Sequence, residues 1–205
     1  DISANVIAGG LFFATLPSDE GTEDIKDEVV SGTPFQFQPV VEARDTNGNV
    51  DTSFNGIVDI VLSSGAGALA GNTSAQAVNG RADFSGRNLK YTVSGNNDGE
   101  QFVLQASSPG IASAETPFLS ADIVAVNLVF KTQPSHPGTP NGDVRSGVPF
   151  AIQPVVQARD AAGKTDYDFT EIVTIEVATG GGVLSGNKKV KAVLGSASFA
   201  GISYN

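Results

Sequence analysis

Asp45-Thr-Asn47-Gly-Asn49-Val-Asp51 sets side-chain oxygens at every second position. Short loops surround hard cations such as calcium with this spacing. The helix-flanked calcium loop needs a glutamate at its twelfth position, and here that position is Gly56, between segments that read as strands. An Asn-Gly turn between two strands is the alternative reading of the same residues. A second acidic group lies upstream, where Asp19, Glu20, Glu23, Asp24, Asp27 and Glu28 put six carboxylates into ten residues. Charges this dense repel unless they are solvated or bridged by a cation. This loop is either a solvated turn or a second calcium candidate. The sequence requires no cofactor, and calcium is the one its oxygens would suit.

Other chemistry is thinner. His136 is the one histidine, and it stands in the proline-bounded stretch Pro134-Ser-His-Pro137. With no cysteine and no second histidine, a zinc site would be nearly all carboxylate. No G-x-S-x-G elbow is present to pair with it as a nucleophile, so it reads as a surface loop residue. Gly181–Lys188 has glycines in the manner of a phosphate loop, but Asn187 stands where that loop needs its lysine. Asn72-Thr-Ser74 matches a glycosylation acceptor, a three-residue pattern common by chance. Lys90, Lys131 and Lys191 are lysines of the kind that crosslink to asparagine in some surface fibres.

The elements that must position these residues come from a repeat. Residues 31–45 read SGTPFQFQPVVEARD and residues 146–160 read SGVPFAIQPVVQARD, identical at eleven of fifteen positions at an offset of 115. Upstream, residues 3–18 resemble residues 120–135 at an offset of 117. Downstream, Asp51 and Phe54 match Asp166 and Phe169, Leu69-Ala-Gly-Asn matches Leu184-Ser-Gly-Asn, and Phe84 matches Phe199. Self-similarity at a long fixed period marks a modular array. Two domains follow, 4–122 and 123–205, each large enough for a core. Residues 89–122 have no counterpart after Asn205, so the second domain is expected to lack its last strands. With methionine absent as well, the chain reads as a window onto a longer protein. The second copy is also a control on the first. It has Asp160-Ala-Ala-Gly-Lys-Thr-Asp166 where the first has the DxNxNxD oxygens, and a nearly neutral loop where the first has six acids.

Composition narrows the classes. Net charge is −10, and residues 1–120 carry 15 acidic and 5 basic groups while 121–205 carry 7 of each. An acidic chain without a basic patch is a poor partner for nucleic acid or an anionic membrane. There is no run of 18 apolar residues, so no helical membrane span, and no basic-plus-apolar leader precedes Asp1. Zero cysteines exclude disulfides and thiol catalysis. Aromatics make up 7% with no tryptophan, and Tyr91, Tyr167 and Tyr204 are scattered, which weakens a sugar-stacking surface.

Period-two alternation predicts strands. Phe35, Phe37, Val41 and Ala43 share one face, with Phe150, Ile152, Val156 and Ala158 as their copies. Val58, Ile60 and Leu62 form another inward set, as do Val173, Ile175 and Val177, and Phe102, Leu104 and Ala106. Gly, Asn, Asp and Ser clusters punctuate them. No segment has a helical period, and Asp19–Glu28 has room for one short helical turn. About seven short strands per repeat predict an all-β chain of two tandem β-sandwiches. Pro39 and Pro154 fall inside the strongest strand pattern and should break it, because proline cannot donate to a ladder. The joint Phe118–Phe130 has no Gly or Pro and is mostly apolar, so it should be ordered and stack the domains as a stiff rod.

The phrases LVFKTQPS (128–135), SGVPFAIQPVVQARD (146–160), DTNGNVDTSFNG (45–56) and AVNGRADFSG (77–86) resemble bacterial Ig-like repeats, which occur in tandem on large cell-surface and secreted proteins. The resemblance covers nearly the whole chain and departs from the usual pattern in the acidic first loop and the longer period. It implies an Ig-like sandwich, an extracellular location and no shared catalytic residue. The expected function is a structural or adhesive module of an adhesin stalk, surface layer or filament, with no catalysis. The alternative is a carbohydrate-binding or spacer module of a secreted enzyme. Expected partners are neighbouring repeats or copies of the same protein, joined by strand complementation of the incomplete second domain, with no nucleic acid and no membrane insertion.

Overall fold

The computed structural model describes residues 5–19, 28–138 and 143–205. The chain is all-β, with no helix among these residues, and divides into two compact units, Asp1–Asp122 and Ile123–Asn205. In unit 1 the strands are β1 Gly10–Thr15, β2 Glu28–Val30, β3 Val40–Arg44, β4 Ile57–Ser64, β5 Ala68–Ala70, β6 Ser74–Gln76, β7 Arg81–Asp83, β8 Lys90–Thr92, β9 Glu100–Ser108, β10 Ile111–Glu115 and β11 Leu119–Asp122. In unit 2 they are β12 Asn127–Thr132, β13 Val155–Arg159, β14 Ile172–Thr174, β15 Leu184–Ser185, β16 Lys189–Lys191, β17 Ser196–Ser198 and β18 Ser203–Tyr204.

Unit 1 is organised around β9, the longest strand. One edge of β9 pairs antiparallel with β4, from Asp59↔Ser107 to Ser64↔Val103. The other edge takes β10 at one end, through Ala114↔Ala106, and β11 at the other, through Leu119↔Phe102. The sheet continues from β10 to β1 in parallel, then to β3 and β7. Of the inward sets read from the sequence, Val58, Ile60, Phe102, Leu104 and Ala106 are at most 1% exposed and Val173 and Ile175 are buried, while Leu62 and Val177, at the ends of their sets, are half-buried. Alternation produces this, because successive side chains on a strand leave by opposite faces.

The prolines break the strands, as expected, and the structure shows what repairs the break. β3 starts at Val40, directly after Pro39, and its register with β1 shifts between Phe13 and Thr15. Gln38 bridges the gap. Its Nε2 donates to the carbonyls of Phe35 (2.8 Å) and Leu89 (3.0 Å), and its Oε1 accepts from the Leu89 N–H (3.0 Å). A side-chain amide offers one donor group and one acceptor, as a peptide unit does. It can therefore replace a rung of the ladder where the following proline cannot supply one. Gln153 repeats every bond before Pro154, with Phe150 (2.7 Å) and Ile202 (3.2 Å and 2.9 Å) as partners. Thr116 does related work before Pro117, where the edge of β9 passes from β10 to β11: its hydroxyl accepts from the Leu104 N–H at 3.0 Å. The break also corrects the face assignment. Phe37 and Ile152 were expected inward, but they precede the prolines and lie 42% and 40% exposed.

Unit 2 follows the same frame further than a constant offset reveals. β15 pairs with β18 through Leu184↔Tyr204, as β5 pairs with β8 through Leu69↔Tyr91. Phe150 N–H donates to Ile202 as Phe35 donates to Leu89. Residues 202–205 are thus the copy of 89–92 at an offset of 113. The segment without a counterpart in residues 123–205 is 93–122, shorter than the expected 89–122, and it holds β9, β10 and β11. The core of unit 2 is Phe150, Val156, Val173, Ile175, Ala192, Ala197, Phe199 and Ile202.

Candidate functional site

The DxNxNxD stretch is the loop that follows β3. Asp45 N–H donates to the Asn49 carbonyl (2.9 Å) and Gly48 N–H to the Asp45 carbonyl (3.1 Å). Gly48 takes a positive φ of 86°, which glycine adopts without steric cost. Asp45 Oδ1 accepts the N–H groups of Asn47 (2.9 Å) and Asn49 (2.8 Å), and Oδ2 accepts the Asn49 side-chain amide (3.1 Å). The Asn49 amide first, and then its N–H, hold the Asp45 carboxyl below the usual range.

Asp51 lies past the turn, is buried, and faces elsewhere. Its Oδ2 accepts the Ala8 N–H (3.0 Å), and its Oδ1 accepts the Ser53 N–H (2.9 Å) and hydroxyl (2.6 Å). The Ser53 hydroxyl, followed by the Ala8 N–H, holds this carboxyl down. Asp51 is thereby a clamp on the segment that enters β1. The second copy keeps both devices. Asp160 Oδ1 accepts the N–H groups of Ala162 (2.9 Å) and Lys164 (2.7 Å), and Asp166 accepts those of Ala125 (2.8 Å) and Phe169 (2.7 Å). Most of these donors are backbone groups, so the turn survives exchange of Asn47 and Asn49 for Ala162 and Lys164. Gly80 and Gly195 back the clamp. Both have positive φ, 79° and 68°, and a Cβ on either would collide with the main-chain carbonyl of Asp51 or Asp166.

Of the acidic group, Asp19 and Glu28 are described, and Glu20, Glu23, Asp24 and Asp27, with the short helical turn considered for that segment, lie outside the described residues. Asp19 closes the base of its loop, accepting the N–H groups of Val30 (2.7 Å) and Gln36. Glu28 opens β2 and pairs with Ser120 of β11. The counterpart of Asp19 in unit 2 is His136, and it does the same work. Its Nδ1 accepts the Arg145 N–H (3.4 Å), which leaves Nε2 to donate to the Pro149 carbonyl (3.0 Å). His136 is 7% exposed and stands edge-on to Phe150 with ring centroids 6.2 Å apart. The expectation of a surface histidine is therefore wrong. Backbone groups hold it, and those have no signature in the sequence.

Two of the three scattered tyrosines are engaged by their own unit, while Tyr167 is 41% exposed. Tyr91 is fully buried and stacks on Phe102 at 4.0 Å, and its hydroxyl accepts the Gly67 N–H (2.9 Å) and donates to Glu100. Tyr204 accepts the Gly182 N–H at the same 2.9 Å. Burial acts to raise the Glu100 carboxyl, but the Ser94 and Tyr91 hydroxyls and the Asn97 amide outweigh it and hold it at about 2. Burial, with the bond to Glu100, pushes Tyr91 up to about 12. An open cleft of about 340 Å³ lies along Gly9–Phe12 and Arg44–Thr46, where the Arg44 guanidinium sits 4.2 Å over the Phe12 ring. No family model, curated protein or solved structure matches the chain.

Proposed function

We propose that the chain is a structural module of an extracellular tandem-repeat protein, of adhesin-stalk, surface-layer or filament type, built from Ig-like β-sandwiches. One observation carries this reading. The residues that the two copies share are spent on scaffold: the Asp51 and Asp166 clamps, the Gln38 and Gln153 amides, and the Tyr91 and Tyr204 hydroxyls all bind main-chain groups of their own unit. Residues kept for catalysis would instead converge on a cleft. The carbohydrate-binding alternative draws less support, since Tyr91 is buried and Tyr204 is engaged by Gly182.

Labelling intact source cells with antibody against the chain, before and after protease shaving, tests the reading. Surface label that shaving removes is the expected result. Label that appears only after lysis overturns it, and saturable binding on a glycan array moves the assignment to the carbohydrate-binding class.

A further inference from the structure

The chain has Asn-Gly pairs at 47, 55, 79 and 141, and the last of these lies outside the described residues. Such a pair carries its own reaction. The glycine nitrogen can attack the side-chain amide carbon of the asparagine, because no Cβ on the glycine hinders it, and the attack is intramolecular. The fold decides which pair is free to react. Gly48 N–H donates to the Asp45 carbonyl (3.1 Å). Gly80 N–H donates to the Phe54 carbonyl (3.0 Å), and Asn79 is fixed in the left-handed region with a φ of 53°. Gly56 N–H meets no acceptor among the described residues. Asn55 is exposed, and one exposed bond, from its Nδ2 to the Ser53 carbonyl (2.9 Å), holds its side chain. The Gln76 side-chain amide donates to the Asn55 main-chain carbonyl. That bond draws electron density from the Asn55–Gly56 peptide and makes its N–H more acidic. Packing imposes the glycine, since a Cβ at 56 would stand 2.7 Å from the Phe54 ring and 3.0 Å from the buried, unpartnered Ser108 hydroxyl.

We propose that Asn55 is a site of spontaneous modification, which the folded chain converts through a cyclic succinimide to isoaspartate and aspartate with water as the only co-reactant. The Gly56 nitrogen gives its proton to hydroxide and bonds to Asn55 Cγ. The Cγ–Nδ2 bond then breaks, and the nitrogen takes a proton from water and leaves as ammonia. Water opens the ring in one of two ways. Breaking the bond between the Gly56 nitrogen and Cγ gives aspartate. Breaking the bond to the main-chain carbonyl gives isoaspartate, with the chain now running through Cβ and Cγ. Either product puts a carboxylate where a neutral amide stood. Residue 55 lies between two anchors: the Phe54 carbonyl accepts the Gly80 N–H, and the Gly56 carbonyl accepts the Ala77 N–H (2.9 Å). An extra main-chain atom between them strains both bonds, and Gly80 backs the Asp51 clamp, so isoaspartate loosens that clamp. The second copy has Thr170-Glu171 at this place, so unit 2 is spared.

The test ages the 205-residue chain in mildly alkaline buffer, folded and in urea. Samples are digested at acid pH and mapped by mass spectrometry, and isoaspartate is identified by enzymatic methylation of its carboxyl. Each asparagine is compared with its own rate in urea. In the folded chain Asn55 should convert nearly as fast as in urea, whereas Asn47 and Asn79 should slow about tenfold or more. Asn55→Gln should remove the product from its own peptide and leave the other peptides unchanged. Hydrogen exchange at Ala77 and Gly80 should quicken in the aged folded chain and not in aged Asn55→Gln. Slowing of Asn55 as great as that of Asn47 and Asn79, or product at 55 in urea alone, would overturn the proposal. Unchanged exchange at Ala77 and Gly80 in a chain converted at 55 would overturn the loosening of the clamp. None of these outcomes bears on the cell-surface reading, which the labelling experiment decides separately.

Discussion

Replacing Gln38 by alanine removes the amide that repairs the strand break at Pro39. Leu89 is fully buried, and its N–H then has no acceptor, while the Phe35 carbonyl loses its donor. The Leu89 carbonyl keeps the Phe35 N–H at 2.9 Å and is not stranded. Two groups lose partners, at about 1–3 kcal/mol each when no water replaces them. Gln38 is half-buried, which favours the lower part of that range, so the expected loss is about 2–4 kcal/mol. Gln38→Glu should cost more at neutral pH, because a carboxylate oxygen would then face two carbonyl oxygens. Its folded pKa would lie above the unfolded value of about 4.3. The folded state therefore favours the protonated form, and the variant recovers stability as pH falls and loses it as pH rises through the folded value. Urea unfolding of the full chain, read by hydrogen exchange so that each unit reports separately, measures both. Gln153→Ala should reproduce the effect in unit 2 and leave unit 1 unchanged. A loss under about 0.5 kcal/mol, or a Glu variant no worse than Ala at neutral pH, would refute the reasoning.

Glu100, held at about 2 against an ordinary 4.5, contributes stability that is complete above 4.5 and is lost as pH falls through 2. Acid unfolding of unit 1 should accordingly be shallower across that window in Glu100→Gln, and an unchanged profile would show that the carboxylate is not the sensitive group. Gly195→Ala should destabilise unit 2 by about 1–3 kcal/mol through the left-handed backbone and the collision with the Asp166 carbonyl. A melting temperature within error of the parent would contradict this. Asp51→Ala should speed exchange at Ala8–Leu11, and Asp166→Ala at Ala125–Leu128, if the clamps act as described. Calcium should raise the melting temperature no more than magnesium at equal ionic strength, because Asp45 and Asp51 already meet donors of their own. A calcium-specific rise abolished by Asp45→Asn would show that the turn gives up those donors to a cation.

Strand faces were legible wherever a strand ran unbroken, because alternation is a local property and Val58, Ile60, Phe102 and Leu104 sit in regular backbone. They were misread at Phe37 and Ile152, where the residue after next is a proline and the chain leaves the ladder. The repeat was legible by identity over 31–45 and 146–160, but two residues lost near its end hid the match of Leu89–Thr92 with Ile202–Asn205. At the candidate site the oxygens were visible and their partners were not. The Ala8 N–H that binds Asp51 is 43 residues away, and every residue but proline carries such a donor. The same blindness made His136 look like a surface residue, although it replaces Asp19 in pinning the same loop. A comparison of positions 19 and 136 in the two copies was the available signal.

The parallel pairings in unit 1 have a mechanical consequence. Its first strand, β1, lies parallel to β10, and its last, β11, lies parallel to β2. When tension is applied along the chain, a strand pulled from its start beside a parallel neighbour pulled from its end must slide past it. The bonds between them then share the load and fail together, which raises the barrier that governs forced unfolding.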